Sequence, residues 1–294
     1  MKITIGIRTA KVSLVQGKSV AALLHAAGVE AELAPIRTIG DSLEVGLAGQ
    51  QGADIFTKEI DEALSRGEVD VAVHDMSHLA PTLPKGISIV AVPARFDPRE
   101  AFVSNRARKM GELKQGARVG VSGVSRGPQL THMGKGFEVV PIVHDIEANL
   151  RALSEGTVDA LLLSSAELER LGIENVICER LPVDKIVPAI GQGALAIQAR
   201  SDRKELMKLV SKACHNNASG IAIKAERAFF KAAAGSGAVF AANAEITPKG
   251  LHLAAFVSTP DASRFHFDRI DGKVDEPAEL GKNFAERLLE KFGG

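Results

Sequence analysis

Short apolar runs alternate with amphipathic stretches through the first two thirds of the chain, and the period of each predicts its element. Ile3, Ile5 and Ile7 alternate with small residues, which predicts a strand ending at Arg8, and a helix follows from about Gly17 to Ala27. A second strand is predicted over 32–37. The glycine-rich stretch 46–54 has no period and reads as a mobile loop, after which Asp54 suits the cap of a helix whose apolar side carries Ile55, Phe56, Ile60, Ala63 and Leu64. Val69, Val71, Ala72 and Val73 form a run too short for a helix and typical of a central strand in a parallel sheet. Residues 87–92 supply a fourth strand after a proline-rich turn.

The alternation then repeats, with strands expected over 118–121, 138–142 and 160–163 and helices starting near Gly127, Asp145 and Ala166. The apolar stretch 186–199, broken by Gly191-Gln192-Gly193, suits a strand that returns to the first lobe across a hinge. From Ala218 the pattern changes to a long helix ending near Ala233, three strands over 241–247, 251–257 and 265–270, and a final helix over 277–291. Thr247-Pro248-Lys249-Gly250 is a good hairpin turn. The expected fold class is α/β, with two lobes of mixed sheet and a small α+β third domain. The expected boundaries are 1–94 with 194–212 for the first lobe, 98–188 for the second and 216–294 for the third. Two lobes joined by crossing strands imply a cleft between them.

Composition narrows the class of ligand. The 294 residues carry 36 basic and 36 acidic side chains, so no overall field draws the protein to nucleic acid or anionic lipid. With 12 Phe and neither Tyr nor Trp, stacking platforms for single-stranded nucleic acid are few. Cys178 and Cys214 form no metal-type pair, and the longest uncharged run is shorter than a membrane span. A cytoplasmic monomer acting on a small molecule, with no nucleic-acid or membrane partner, is the expectation.

Chemistry is expected where the 69–73 strand runs into His74, Asp75, Ser77 and His78, because open α/β sheets present their ligand crevice at the carboxyl ends of strands. The residues around this point, Asp70-Val-Ala-Val-His-Asp-Met76, together with Asp97-Pro-Arg-Glu-Ala-Phe-Val-Ser-Asn105, Val187-Pro-Ala-Ile-Gly-Gln-Gly-Ala194 and Ala225-Glu-Arg227, resemble in order the signatures of the hydroxymethylbilane synthase, or porphobilinogen deaminase, family of tetrapyrrole biosynthesis. The resemblance runs almost end to end. It implies two lobes like those of periplasmic binding proteins plus a small third domain. It also implies a transferase in which a cysteine-linked dipyrromethane cofactor primes the addition of four porphobilinogen units, an aspartate stabilises charge on pyrrole nitrogen, and basic residues bind acetate and propionate groups.

The same resemblance places different residues on that machinery here. Ser77 and His78 stand at the Lys-Asp positions, Ser236 at the cofactor cysteine, Ser125 beside Arg126 where the family has paired arginines, and Val143 and Asn149 at two further arginines. Ala10 and Ala53 replace a serine and a lysine, while Arg8, Phe56, Arg170 and Gln192 remain. The expectation is a family protein without the dipyrromethane-primed polymerisation, with Ser236 unmodified, that binds a pyrrole, tetrapyrrole, metal or other small ligand in the cleft. The alternative is an active synthase with a modified mechanism. Ligand-binding candidates are Arg8, Ser77, His78, Ser122, Arg126, His144, Arg170 and Gln192. For Arg8, Arg126 and Arg170 the competing role is internal pairing with Asp75, Asp145 and Glu167. His78 and His144 are the metal or haem candidates, since neutral imidazole is a common metal ligand, and Asp145 is expected to cap its helix.

Overall fold

The computed structural model describes residues 2–42, 53–143 and 145–293. The chain opens with β1 (Lys2–Arg8), α1 (Lys11–Ala26), β2 (Glu30–Ile36), α2 (Lys58–Arg66), β3 (Val71–Asp75) and β4 (Ile87–Ala91). β1 pairs in parallel with both β2 and β3. Its alternating isoleucines are fully buried and pack with Val20 and Leu24 of α1, which is why that period was legible. The helix starts six residues before Gly17. Gly17 is instead a point of close approach, because a Cβ there would lie 3.0 Å from Ile7 and 3.1 Å from Leu33. Asp54 does not cap α2: it belongs to a preceding 3₁₀ turn, Ala53–Phe56, and α2 begins after Thr57. The expected mobile loop over 46–54 lies outside the described residues up to position 52.

The second lobe contains β5 (Glu100–Val103), β6 (Arg118–Val121), α3 (Arg126–His132), β7 (Glu138–Pro141), α4 (Ile146–Ser154), β8 (Ala160–Ser164), α5 (Ser165–Arg170) and β9 (Glu179–Arg180), with strand order β7-β6-β8-β5-β9. β6 runs parallel to β7 and β8, whereas β5 runs antiparallel to β8 and β9. β5 was hidden in the sequence by Glu100, a fully buried charge inside a four-residue strand. The chain then crosses back, and β10 (Leu195–Arg200) inserts antiparallel between β3 and β4, giving the first sheet the order β2-β1-β3-β10-β4. α6 (Lys204–Cys214) adds Leu206 and Val210 to the same core.

The third unit is α7 (Asn217–Ala233), β11 (Val239–Thr247), β12 (Gly250–Ser258), β13 (Phe265–Gly272) and α8 (Pro277–Gly293). The three strands form an antiparallel meander, with Thr247 paired to Gly250 across the expected hairpin. Phe229, Phe284 and Leu288 of the two helices pack on Ala242, Leu253 and Ala255 of the sheet. Two mixed α/β sheets and a small α+β unit are the predicted fold class.

One carboxylate ties these parts together. Glu226 on α7 is fully buried and accepts from Arg95 on the outgoing crossing (2.6 and 3.3 Å), from the Gly191 N–H on the returning crossing (2.7 Å) and from the Ala244 N–H of β11 (2.7 Å). Arg95 also donates to the Gln192 carbonyl at 2.9 Å. Gly191 holds φ at +79° and a Cβ there would lie 2.5 Å from Met76 Cγ, so the returning strand needs glycine at that turn. Replacing one partner of a buried charge pair leaves the other uncompensated at about 3 to 5 kcal/mol. Glu226→Ala is therefore expected to lower stability by about that amount in urea denaturation, with Glu226→Gln losing less because it keeps an acceptor; a loss below about 1 kcal/mol would contradict this role.

Candidate functional site

A cavity of about 500 Å³ lies where the two lobes and the third unit meet. Asp75, Ser77 and His78 reach it from the end of β3, Ser122 and Arg126 from the β6–α3 connection, and Glu167 from α5. Gln192 enters from the returning crossing, and Phe230, Val239 and Phe240 close it from the third unit. These positions follow from the local fold, since β3, β6 and β8 each end at the cavity, as parallel strands do in open α/β sheets.

The sequence-predicted residues fall into three groups. Ser77, His78, Ser122, Arg126 and Gln192 line the cavity. Arg8 and Arg170 stand behind its wall, where Arg8 lies 4.3 Å above the Phe56 ring and Arg170 4.8 Å above the Phe96 ring. Ser236 is exposed on the loop that leads into the lining strand β11. His144 lies outside the described residues. Among the described residues no group of three or more histidine, cysteine or acidic side chains is placed to hold a metal. The expected pairing of His78 with His144 as a metal site involves a residue outside the described structure. The His78 ring lies beside Phe56, with centroids 4.6 Å apart.

Each candidate arginine is engaged by the protein itself. Arg126 donates from Nε to Glu100 at 2.9 Å, from Nη1 to the Ser122 carbonyl and hydroxyl at 2.7 and 3.0 Å, and from Nη2 to the Gln192 side-chain Oε1 at 3.1 Å. The Gln192 amide closes the ring by donating to Glu100 at 3.0 Å. Arg8 makes two bonds to Asp41, at 2.6 and 3.1 Å. Arg170 donates to the Gly193 carbonyl at 2.7 Å and lies 3.5 Å from Asp75, an ion pair without a hydrogen bond. Of the expected pairings only that of Arg170 with Asp75 is of this kind. Asp41 and Glu100 take the other two arginines, while Asp145 caps α4 through the N–H groups of Glu147 and Ala148.

Asp75 is held in turn by Ser77, whose N–H and hydroxyl donate at 3.1 and 2.7 Å, and by Gln16 at 3.4 Å. Asp41 sits below the ordinary carboxylate range: burial works against it, but the Thr38 N–H and the Arg8 guanidinium outweigh burial. Glu167 behaves oppositely. Burial first, then the neighbouring Asp75 charge, pushes its carboxyl up to about 7 against the pull of Arg126 and Arg170. It keeps part of its surface open to the cavity while protein surrounds it elsewhere. The sequence named Glu167 only as an arginine partner, and gave the third unit's Phe230, Val239 and Phe240 no part in the site. No local motif marks these three, because their role depends on how the third unit docks.

A two-lobed α/β protein with a ligand-sized cavity at the interlobe junction is the class that this geometry defines. The model of the porphobilinogen deaminase dipyrromethane cofactor binding domain matches residues 3–208. The porphobilinogen deaminase of Geobacter sulfurreducens is 37% identical over 296 residues, covering 99% of this chain and 92% of its own. Those of Trichlorobacter lovleyi and Syntrophomonas wolfei are 37% and 34% identical, covering 99% and 98% of this chain and 94% and 95% of theirs. The chain belongs to the porphobilinogen deaminase family. Among solved structures, a periplasmic substrate-binding protein of an ABC transporter from Coxiella burnetii aligns with a TM-score of 0.48 at 14% identity, over 73% of this chain and 92% of that one. No described helix is long and apolar enough to cross a membrane.

Glu167 provides a pH test of the site. A carboxyl whose folded pKa is raised from 4.5 to about 7 binds its proton more tightly when folded. Its stabilising effect is complete below about pH 4.5 and is lost as pH rises through about 7. Denaturation midpoints of the parent should therefore fall across that window relative to Glu167→Gln, with a slope of at most about 1.4 kcal/mol per pH unit, the value for one proton. Parallel profiles for the two proteins would show that Glu167 is not the titrating group.

Proposed function

We propose that this chain is a porphobilinogen deaminase homologue that binds a pyrrole-class small molecule in the interlobe cavity, carries no covalent dipyrromethane and does not polymerise porphobilinogen. The carrying observation is the internal engagement of the cleft arginines. A growing pyrrole chain brings two carboxylates per ring, and each needs a charged fork. Here the forks of Arg126 and Arg8 are bonded to Glu100 and Asp41.

Three further points support the reading. The resemblance puts Ser236 at the cofactor cysteine, and a hydroxyl is a far weaker nucleophile than a thiolate unless a base activates it. Among the described residues the Ser236 Oγ has one partner, the Ala238 N–H at 3.3 Å, and no base. The residues present do not fit a thioether-held dipyrromethane. His78, at the family aspartate, supplies no negative charge to a cationic pyrrole nitrogen.

The competing reading, turnover by a modified mechanism, is favoured by one observation: Asp75, three residues before His78, keeps a carboxylate in the cavity wall. Intact-mass spectrometry and porphobilinogen consumption separate the two. After incubation with porphobilinogen the protein should retain the mass of the bare chain and consume no more substrate than a blank. Ser236→Cys alone should leave turnover negligible, since carboxylate binding and charge stabilisation would still be missing. Steady consumption at an ordinary enzymatic rate by the unmodified protein would overturn the proposal.

A further inference from the structure

The face of the first sheet that α2 covers is interrupted by polar side chains. Along β3, Ala72 packs with Ile60 and Leu64 of α2 in one apolar cluster, while Met76 packs with Ala194 and Ala196 in another. His74 stands between Ala72 and Met76 on that face, since alternate residues of a strand point the same way. On β10, Ala196 pairs with His74 and Gln198 with Ala72, so His74 and Gln198 are diagonal neighbours, a spacing of about 7 to 8 Å that long side chains bridge. Asp61 comes down from α2 and places its Oδ1 3.3 Å from His74 Nε2, a contact without a hydrogen bond. Asp75 and its cavity lie on the opposite face of β3, where Gln16 of α1 reaches it.

Gln198 is fully buried, and His74 and Asp61 are 3% and 7% exposed. Gln198 Oε1 and Nε2, His74 Nε2 and Asp61 Oδ1 have no hydrogen-bond partner among the described residues. Turning the Gln198 amide over exchanges oxygen for nitrogen and leaves both unpaired. Buried polar atoms are otherwise hydrogen-bonded, because leaving them bare forfeits their hydration. The chemistry of the four atoms defines the missing partner. Gln198 Oε1 and the Asp61 carboxylate only accept, Gln198 Nε2 only donates, and His74 Nε2 does either according to its tautomer. A metal ion or an ammonium group accepts nothing from an N–H and would leave Gln198 Nε2 bare, and an anion would face the Asp61 charge. Water both donates and accepts, and a buried water makes about three such bonds. We propose that Asp61, His74 and Gln198 enclose a buried water site between α2 and the first sheet, holding at least one molecule that bridges the helix to β3 and β10. Solvent then joins α2 to the sheet at the point where the apolar packing is broken.

The test uses the full chain and its Gln198→Met variant, which keeps the side-chain length and removes both amide groups. Oxygen-17 magnetic relaxation dispersion counts water molecules that stay bound through molecular tumbling, and the parent should hold at least one more of them than the variant. The urea midpoint gives an independent sign. With water in the site, Gln198→Met expels it and strips His74 and Asp61 of their partner, so the midpoint falls; in a dry site the same change removes two unpaired groups and the midpoint rises. A high-resolution crystal structure of the parent should show density within hydrogen-bonding distance of Gln198 and of His74 or Asp61, and this measurement decides alone if the variant does not fold. Equal counts of bound water with a raised midpoint, or a direct bond from Gln198 to His74 with no density between them, would overturn the assignment. Density whose occupancy follows added zinc would replace water with a metal and overturn it equally.

Discussion

The structure turns on a buried carboxylate that has no role in the cavity chemistry. Glu226 receives hydrogen bonds from the outgoing crossing, the returning crossing and β11, so a single side chain on α7 sets the angle between the lobes and the third unit. Taking a carboxylate out of water is unfavourable by several kcal/mol, and only a full complement of donors offsets that. Arg95 and two backbone N–H groups provide it. The geometry is therefore all or nothing: moving either crossing strands a charge. Gly191, whose N–H is one of those donors, precedes Gln192, whose amide joins Glu100 and Arg126 in the cavity wall. The structural junction and the candidate site share a backbone turn.

The same accounting of donors and acceptors explains the character of the cleft. Glu100 is a charge inside a strand, tolerable only because Arg126 and Gln192 both reach it. Arg126 in turn has all three of its guanidinium nitrogens bonded within the protein. Asp75, on the first lobe, and Arg170, on the second, approach across the cleft at 3.5 Å. Exposed Lys11 on α1 pairs with Glu147 on α4 at its mouth, a contact of small energetic weight. Buried pairs of this kind confer little net stability and much geometric definition. A cleft whose arginines are bonded within the protein is held in shape by its own side chains.

Much of the fold was legible because period and burial coincide. The isoleucines of β1, the valines of β3, the hairpin at Thr247 and the amphipathic α7 each bury the face that their spacing marked. Elements were missed where one residue broke the local rule for a long-range reason. Glu100 concealed β5 because its partners lie 26 and 92 positions away. Gly17 read as a helix start because its role, contact with Ile7 and Leu33, lies outside its own helix. The site was legible in its membership and not in its pairing. Ser77, His78, Ser122, Arg126 and Gln192 all reach the cavity, yet the partners of Arg8 and Arg126 lie 33 and 26 residues away in segments that no spacing rule connects.

That distinction bears on what a family resemblance conveys. An arginine kept at a position says that a guanidinium is present there; whether it is free for a ligand depends on carboxylates elsewhere in the chain. Arg126 could be carried over by position, but its availability is decided by Glu100, on a strand hidden from pattern reading. Glu167 is the converse case, a side chain with no place in the positions carried over that lines the cavity, where burial and the Asp75 charge push its carboxyl up against the pull of Arg126 and Arg170. Electrostatic function in such a cleft is thus a property of the set of pairings. A change at one acidic position redistributes the charge of the cavity wall without touching any residue that the resemblance names.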